Sequence, residues 1–236
     1  LTEPPKSMAA LLDYARDHVG RVTYPEPPNF HGTTFLKQVL WETTRYPDWL
    51  TEPYSEERFK PVTRPMWEYL DALHPNLWRN GREFPDSAEV MMDLFSDGIL
   101  DIALSFNPND ASQRILDGRF APSVRTYVHE IGTVGNTHFL AIPFNAQSRD
   151  AALVWINLLL SPEAQAEKAN PSIWGDPTVI DVSRLRSADR TLFQTLELGP
   201  ATLTSQDRGI PLSEPHATWV EPIERAWKQR YFGKAQ

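Results

Sequence analysis

Several stretches of the chain place apolar residues three and four positions apart, which is the spacing of one face of a helix. In residues 7–18 a serine precedes such a series, which predicts an amphipathic helix with Ser7 as its N-cap. Residues 150–160 are apolar enough to predict a well-buried helix, and Ser161 and Pro162 then begin another. Comparable patterns predict helices over residues 33–41, 65–72, 87–95, 111–116 and 215–231.

Short apolar runs between these helices are typical of buried strands. They cover residues 21–24, 100–106, 125–130 and 137–143. Strands that alternate with helices predict an α/β fold with a mixed, mainly parallel sheet flanked by helices. Ligands in such folds bind at the carboxyl ends of the strands. Residues 43–65 are polar, aromatic and rich in proline, and they predict surface loops with short helical pieces.

Composition narrows the class of protein. The 236 residues can form one large domain or two small ones, and the absence of cysteine excludes disulfides and thiolate chemistry. A net charge of −8 without a basic cluster argues against nucleic-acid binding. The first residues do not have the pattern of a signal peptide. Because the common catalytic and nucleotide-binding motifs are missing too, we predict no catalytic residue, no cofactor and no metal site.

Five stretches together carry a resemblance to a known family: GRVTYPEPPNFHGTTF, DIALSFNPNDA, VGNTHFLAIP, SPEAQ and WGDPTVID. In this order they resemble the bacterial extracytoplasmic solute-binding proteins of ABC transporters, in the type II periplasmic class. The pattern is most similar to the YnjB-type branch, which is related to thiamine and iron binders. The resemblance covers nearly the whole chain, but most of an N-terminal lobe is missing, so we interpret the chain as truncated.

The resemblance implies two lobes joined by a hinge. Residues 1–125 and 180–236 are expected to form the second lobe, and residues 126–179 a hinge-return strand and helices of an incomplete first lobe. The implied function is capture of a small solute between the lobes and its delivery to a membrane permease. The expected partners are the solute, the ABC permease and its ATPase, with no nucleic acid. The protein is expected to be a periplasmic or extracytoplasmic monomer, at most peripheral to a membrane.

The first group of candidate ligand-binding residues lies where a loop meets a helix. Free backbone N–H groups at such a helix start, with hydroxyl donors beside them, suit an anionic or polar ligand group. The alternative is plain helix capping. The group consists of Asn29, His31, Gly32, Thr33 and Thr34.

Further candidates follow predicted strands or turns. Phe106, Asn107 and Asn109 come after one strand, where an Asn-Pro-Asn turn is the equal alternative. A tryptophan beside a carboxylate suits a cationic organic ligand, although packing at a hinge would also explain the pair. That pair is Trp174 and Asp176. The remaining candidates, at the start of a predicted strand, are Asn136 and Thr137, with His138 beside them. A lone histidine is more often a hydrogen-bonded structural residue, and this alternative is favoured for His138.

The sequence does not specify the chemical identity of the ligand. Acidic charge and aromatic residues favour a thiamine-like cation or a polyamine, while the helix start favours a phosphorylated compound. A zwitterionic or phosphorylated organic molecule satisfies both. The alternative function is a transferase or hydrolase that uses His31 or His216 as a general base. A non-catalytic interaction domain is a weaker third interpretation.

Overall fold

The structure, a computed structural model, describes residues 3–135, 137–203 and 207–232. The chain divides into two compact units. Unit 1 is Leu1–Phe106, Tyr127–Gly135 and Ser205–Gln236, and unit 2 is Asn107–Thr126 and Asn136–Thr204. The assignment of parts of the chain to the lobes of a binding protein stays a prediction, and each unit is described by itself.

Helices dominate the described residues. They are α1 (Met8–Asp17), α2 (Phe30–Thr43), α3 (Glu56–Leu73), α4 (Ala88–Ser96), α5 (Asp110–Leu116), α6 (Arg149–Leu159), α7 (Pro162–Ala169), α8 (Ser187–Gln194) and α9 (Val220–Tyr231). Single 3-10 turns lie at Pro47–Thr51, His74–Asn76, Trp78–Gly81, Val182–Arg184 and Ala217–Trp219. None of the helices in the described ranges is long and apolar enough to cross a bilayer.

The predicted α/β fold with a mainly parallel sheet is wrong for this structure. In the described part of the chain, β pairing is limited to one isolated parallel bridge between Val134 and Leu212. The four predicted strand runs have no ladder of hydrogen bonds between neighbouring strands. An apolar run becomes a strand only when another strand satisfies its backbone groups. Some backbone groups of the predicted strands instead bond to loops and turns; for example, the Val22 carbonyl accepts a hydrogen bond from the Trp78 N–H at 2.9 Å.

The predicted helices are confirmed where a cap residue marks their start. Ser7, Ser87 and Ser161 each accept a backbone N–H with their hydroxyl at the start of α1, α4 and α7. Helix α3 is much longer than predicted, because Pro61 and Pro65 lie inside it rather than in loops. The buried residues of α3 lie on one side of the helix and pack against α1 and α2. This packing compensates for the two backbone hydrogen bonds that the prolines, which have no N–H, cannot donate.

The core of unit 1 is built on α2, which contacts both α3 and α9. At its centre lies a buried hydrogen-bonded chain. The Trp227 indole donates to the Tyr24 hydroxyl at 2.8 Å, and that hydroxyl bonds to Nε2 of His74 at 2.7 Å. The rings of Phe35 and Phe84 pack on Tyr24 at 4.3 and 5.0 Å. The indole N–H, the hydroxyl and Nε2 therefore satisfy one another, whereas Nδ1 of His74 is buried without a hydrogen-bond partner in the described structure.

Unit 2 is organised around α7, which contacts α6 and α8. The buried amide of Gln165 links its surroundings: Nε2 donates to the Leu159 carbonyl at 2.8 Å, and Oε1 accepts from Thr178 and Val179 at 3.1 Å. Helix α6 forms as predicted, but the prediction that it is well buried is wrong. None of its residues is buried in the described structure.

Candidate functional site

The first candidate group forms the start of α2 in unit 1. Asn29 is the N-cap, and its Oδ1 accepts the His31 N–H at 3.0 Å. Phe30 and His31 form the first turn, and both rings pack on Phe106, at 4.6 and 4.7 Å between centroids. The structure therefore brings His31, from the first candidate group, against Phe106, from the second.

Gly32, Thr33 and Thr34 lie deeper in the helix than the sequence suggested. An added Cβ at Gly32 would lie 2.0 Å from the Pro25 carbonyl oxygen, so the helix packs directly on that loop. Both threonines are buried. Thr33 donates to the Glu224 carboxylate at 2.5 Å, while the Thr34 hydroxyl has no hydrogen-bond partner in the described structure. The hydroxyls thus bind inside unit 1 or are enclosed, and neither is displayed at the helix start.

The second group, in unit 2, converges on the loop that follows α7. The Asn107 amide donates to the Trp174 carbonyl at 3.2 Å, and the Asn109 amide donates to the Gly175 carbonyl. Asn109 is buried, and its N–H is bound to Oδ1 of Asn107 at 2.9 Å. Two asparagines two positions apart therefore fasten one loop through its carbonyl groups.

The loop also folds back on the end of its own helix. The N–H groups of Trp174 and Gly175 both donate to the Asn170 carbonyl, at 3.0 and 2.9 Å, and the Asp176 N–H donates to the Lys168 carbonyl at 3.0 Å. Gly175 has a φ of +78°, which a glycine adopts readily. This backbone geometry brings the Asp176 carboxylate beside the Lys168 ammonium.

Charged and aromatic groups meet at this loop. Oδ2 of Asp176 lies 2.8 Å from Nζ of Lys168 and 3.0 Å from Nδ1 of His138. Nζ of Lys168 also lies 5.7 Å from the Trp174 ring centroid and donates to the Pro177 carbonyl at 2.5 Å. The His138 and Trp174 rings are nearly parallel, with centroids 6.2 Å apart. We call Lys168, Asp176, His138 and Trp174 the loop cluster.

Burial within the loop cluster is uneven. The side chains of Lys168 and Asp176 are only 13% and 16% exposed, whereas those of His138 and Trp174 are largely open to solvent. A partly desolvated ion pair below two open aromatic rings can bind a flat organic ligand by stacking and can pair with groups of either charge. In the described ranges, no three His, Cys, Asp or Glu side chains are placed to share a metal ion.

The structure brings some predicted residues together and separates others. Asn107, Asn109, Trp174 and Asp176 meet in unit 2, while the α2 group and Phe106 belong to unit 1. Thr137 is exposed, next to His138 in the chain. The remaining candidate, Asn136, lies outside the described residues.

Sequence reasoning missed Lys168, because the contact depends on the fold of a loop. The usable signal was its place in the last turn of a helix followed by Asn170 and Gly175. Such a turn brings the chain back past the helix end. Of the histidines proposed as general bases, His216 caps a 3-10 turn, where its Nδ1 accepts the Thr218 N–H at 3.3 Å.

The chain is similar to Protein YnjB of Escherichia coli strain K12, with 43% identity over 229 residues, which is 97% of this chain. It spans 57% of the length of that relative. No family model matches the sequence, and no solved structure matches it. The predicted similarity to YnjB-type proteins is thereby confirmed, and the chain is YnjB-like over nearly all of its length.

Proposed function

We propose that this chain is part of the substrate-binding component of an ABC importer, which captures a small solute outside the cytoplasm and passes it to a membrane permease. The observation that carries the proposal is the loop cluster. Two asparagines hold a loop rigidly, and that loop presents the open Trp174 ring beside the pair of Lys168 and Asp176. Binding proteins need a preorganised polar and aromatic surface of this kind.

The resemblance to extracytoplasmic solute-binding proteins supports the same function. Two of the stretches that carry the resemblance, VGNTHFLAIP and WGDPTVID, contain His138, Trp174 and Asp176 of the loop cluster. A third, DIALSFNPNDA, contains the two asparagines that bind the loop. The partners proposed with it are an ABC permease and its ATPase. The periplasmic or extracytoplasmic location belongs to the same proposal.

The chemistry of the loop cluster favours a zwitterionic ring compound as the solute. The exposed Trp174 ring offers a stacking face, Lys168 offers a cation to a phosphate or carboxylate, and Asp176 offers an anion to an amine. Because Lys168 and Asp176 already neutralise each other, a ligand with one charge of each sign replaces the pair without leaving a buried charge unpaired. Thiamine phosphates are of this class.

Calorimetric titration and thermal unfolding with thiamine, its phosphates and spermidine test the proposal. We expect one of the phosphates to raise Tm, and Trp174→Ala to weaken its binding about 5- to 30-fold, since stacking on an indole contributes roughly 1–2 kcal/mol. Trp155→Ala, which removes another exposed indole from unit 2, is the matched control and should bind normally. Equal binding by the Trp174→Ala variant would refute the assignment of the site.

An enzymatic role is the second candidate, and one contact favours it. Nδ1 of His138 lies 3.0 Å from Asp176, an arrangement in which a carboxylate orients an imidazole as a general base. If His138 is a general base, we expect the protein to hydrolyse activated esters or phosphate monoesters slowly, and we expect His138→Asn to abolish this hydrolysis. Turnover of the thiamine phosphates themselves would favour the enzyme over the receptor.

A further inference from the structure

A groove on unit 1 is lined by more positive than negative side chains. It lies between the end of α2 and the middle of α3, and its volume of about 480 Å³ is that of a small-molecule site. Three of its side chains are cations and one is a carboxylate, in a protein whose net charge is −8. We call the groove formed by Arg45, Tyr46, Lys60, Arg64 and Glu68 the basic groove.

Most of the positive charge in the basic groove is available to a ligand. Arg45 and Lys60 are exposed, and neither makes a side-chain ion pair or hydrogen bond within the described ranges. Arg64 uses only Nε to bond the Glu68 carboxylate, at 2.7 Å, so the two terminal nitrogens of its guanidinium remain unbonded to described residues. An anion that enters the groove therefore finds three cations with donors to offer.

An aromatic ring is held in a fixed position at the same groove. Tyr46 stacks on Trp49, with the ring centroids 4.4 Å apart and an angle of 10° between the planes. The Tyr46 N–H donates to the Thr44 hydroxyl at 3.2 Å, and its carbonyl accepts the Trp49 N–H at 3.1 Å. Tyr46 is nevertheless 40% exposed. A ring that is both open and already ordered can stack on a ligand at a low entropic cost.

Helix capping explains only part of this arrangement. Cations are favourable at the end of a helix, where free carbonyl groups concentrate negative charge, and Arg45 follows the end of α2 closely. Lys60 and Arg64 lie inside α3, four positions apart. Like charges at this spacing destabilise a helix. A bound anion would remove that repulsion, whereas capping gives no reason for it.

We propose that the basic groove binds a phosphate monoester that carries a ring. The phosphate contacts Arg45, Lys60 and the terminal nitrogens of Arg64, and the ring stacks on Tyr46. A phosphate monoester has about two negative charges at neutral pH, which balance the three cations and one carboxylate of the groove. A guanidinium also matches two phosphate oxygens at once. The site belongs to unit 1 and does not depend on the loop cluster or on transport.

Titration with phenyl phosphate, followed by amide NMR of the isotope-labelled 236-residue chain, locates the site. We expect saturable shifts at residues 43–46 and 60–68. Binding at the loop cluster would instead shift residues 168–176. Shifts at 168–176 alone would overturn this proposal and leave the proposed function standing, whereas shifts at the basic groove support this proposal whether or not the loop cluster binds a solute.

Substitutions test the role of each group. Arg45→Gln and Lys60→Gln should each raise the Kd of phenyl phosphate about 3- to 10-fold, because each removes one charge-assisted contact. Lys228→Gln removes the same charge from an exposed position on α9 of unit 1, and as the matched control it should leave Kd unchanged. Tyr46→Leu should weaken phenyl phosphate but not methyl phosphate, which has no ring to stack.

Vesicles distinguish the two sources of such a phosphate. Phosphatidic acid has the same monoester group on a lipid. Flotation with phosphatidic acid vesicles, competed by phenyl phosphate and weakened by Lys60→Gln, would identify a lipid headgroup, whereas binding of phenyl phosphate without flotation would identify a soluble ligand. Equal and non-saturable shifts with sulfate at the same ionic strength would indicate an adventitious ion only and overturn the proposal. Binding that both glutamine variants leave unchanged would also overturn it.

Discussion

Lowering the pH should destabilise unit 1 through His74. This histidine is buried, its Nε2 is bound to the Tyr24 hydroxyl, and its ring lies 4.1 Å from that of Tyr231. Burial lowers its pKa from 6.5 to about 4, since a charged ring loses hydration. Asp71 opposes this shift and Arg230 adds to it, both more weakly than burial.

The sign of the effect follows from proton binding. Between pH 6.5 and about 4, the unfolded chain binds a proton at His74 that the folded protein does not, so stability falls as the pH falls. The full difference of the two pKa values corresponds to about 3 kcal/mol, of which about 2 kcal/mol is lost between pH 7 and pH 5. At this chain length that loss lowers Tm by about 4–8 °C.

Urea unfolding at pH 7, 6 and 5, followed by far-ultraviolet circular dichroism, measures the loss. His74→Gln keeps an acceptor for the Tyr24 hydroxyl but does not titrate. We expect the variant to be less stable than the unchanged chain at pH 7. Because it has no titrating ring at position 74, its free energy of unfolding should fall by about 2 kcal/mol less than that of the unchanged chain between pH 7 and pH 5. The comparison cancels the other histidines and the carboxylates, because both proteins contain them. Parallel stability profiles for the two proteins would refute the reasoning.

Three further substitutions test other parts of the structure. Gly32→Ala should cost roughly 1–3 kcal/mol, since its Cβ would meet the Pro25 carbonyl; urea unfolding with no loss would contradict the close contact. Tyr24→Phe should cost about 2 kcal/mol, because it leaves the buried Trp227 N–H without an acceptor. In calorimetry an unchanged Tm would argue against that hydrogen bond. Asn109→Ala should speed amide exchange at residues 174–176 about tenfold by releasing the Gly175 carbonyl, and unaltered exchange would show that Asn107 alone holds the loop.

The helices were predictable where the information is local. Ser7, Ser87 and Ser161 each bond to an N–H three residues ahead, so the pattern of a cap followed by an apolar series is sufficient to place the helix start. The length of α3 was not predictable in this way. Pro61 and Pro65 are breakers by local rules, and only the packing of that helix against its neighbours overrides them.

The prediction of a sheet was wrong because a strand depends on residues that are distant in the sequence. Residues 137–143 have the apolar pattern of a strand, but a strand requires a second segment that satisfies its N–H and C=O groups. Such a segment is absent from the described part of the chain. The predicted burial of α6 also depended on a partner that local pattern cannot provide, and its exposed Trp155 shows the difference.

The sequence names residues of the candidate site but not their arrangement. Four candidates, Asn107, Asn109, Trp174 and Asp176, lie at or against one loop. Their supposed task was to face a ligand, whereas the two asparagines bind the backbone of the loop. The partnership of Asp176 with Lys168 depends on the turn at Asn170 and Gly175, which spacing in the sequence does not specify.

The exposure of the tryptophans differs between the two units, so intrinsic fluorescence can report on each of them. Unit 1 contains six tryptophans: Trp219 and Trp227 are fully buried, and Trp41, Trp49, Trp67 and Trp78 are partly buried. Unit 2 contains Trp155 and Trp174, which are both more than half exposed. Emission from the buried indoles is expected at shorter wavelength and should resist acrylamide quenching, while that of the exposed pair should be red-shifted and readily quenched. One fluorescence titration can thus follow the core of unit 1 at the blue edge and the surface of unit 2 at the red edge, without an added label.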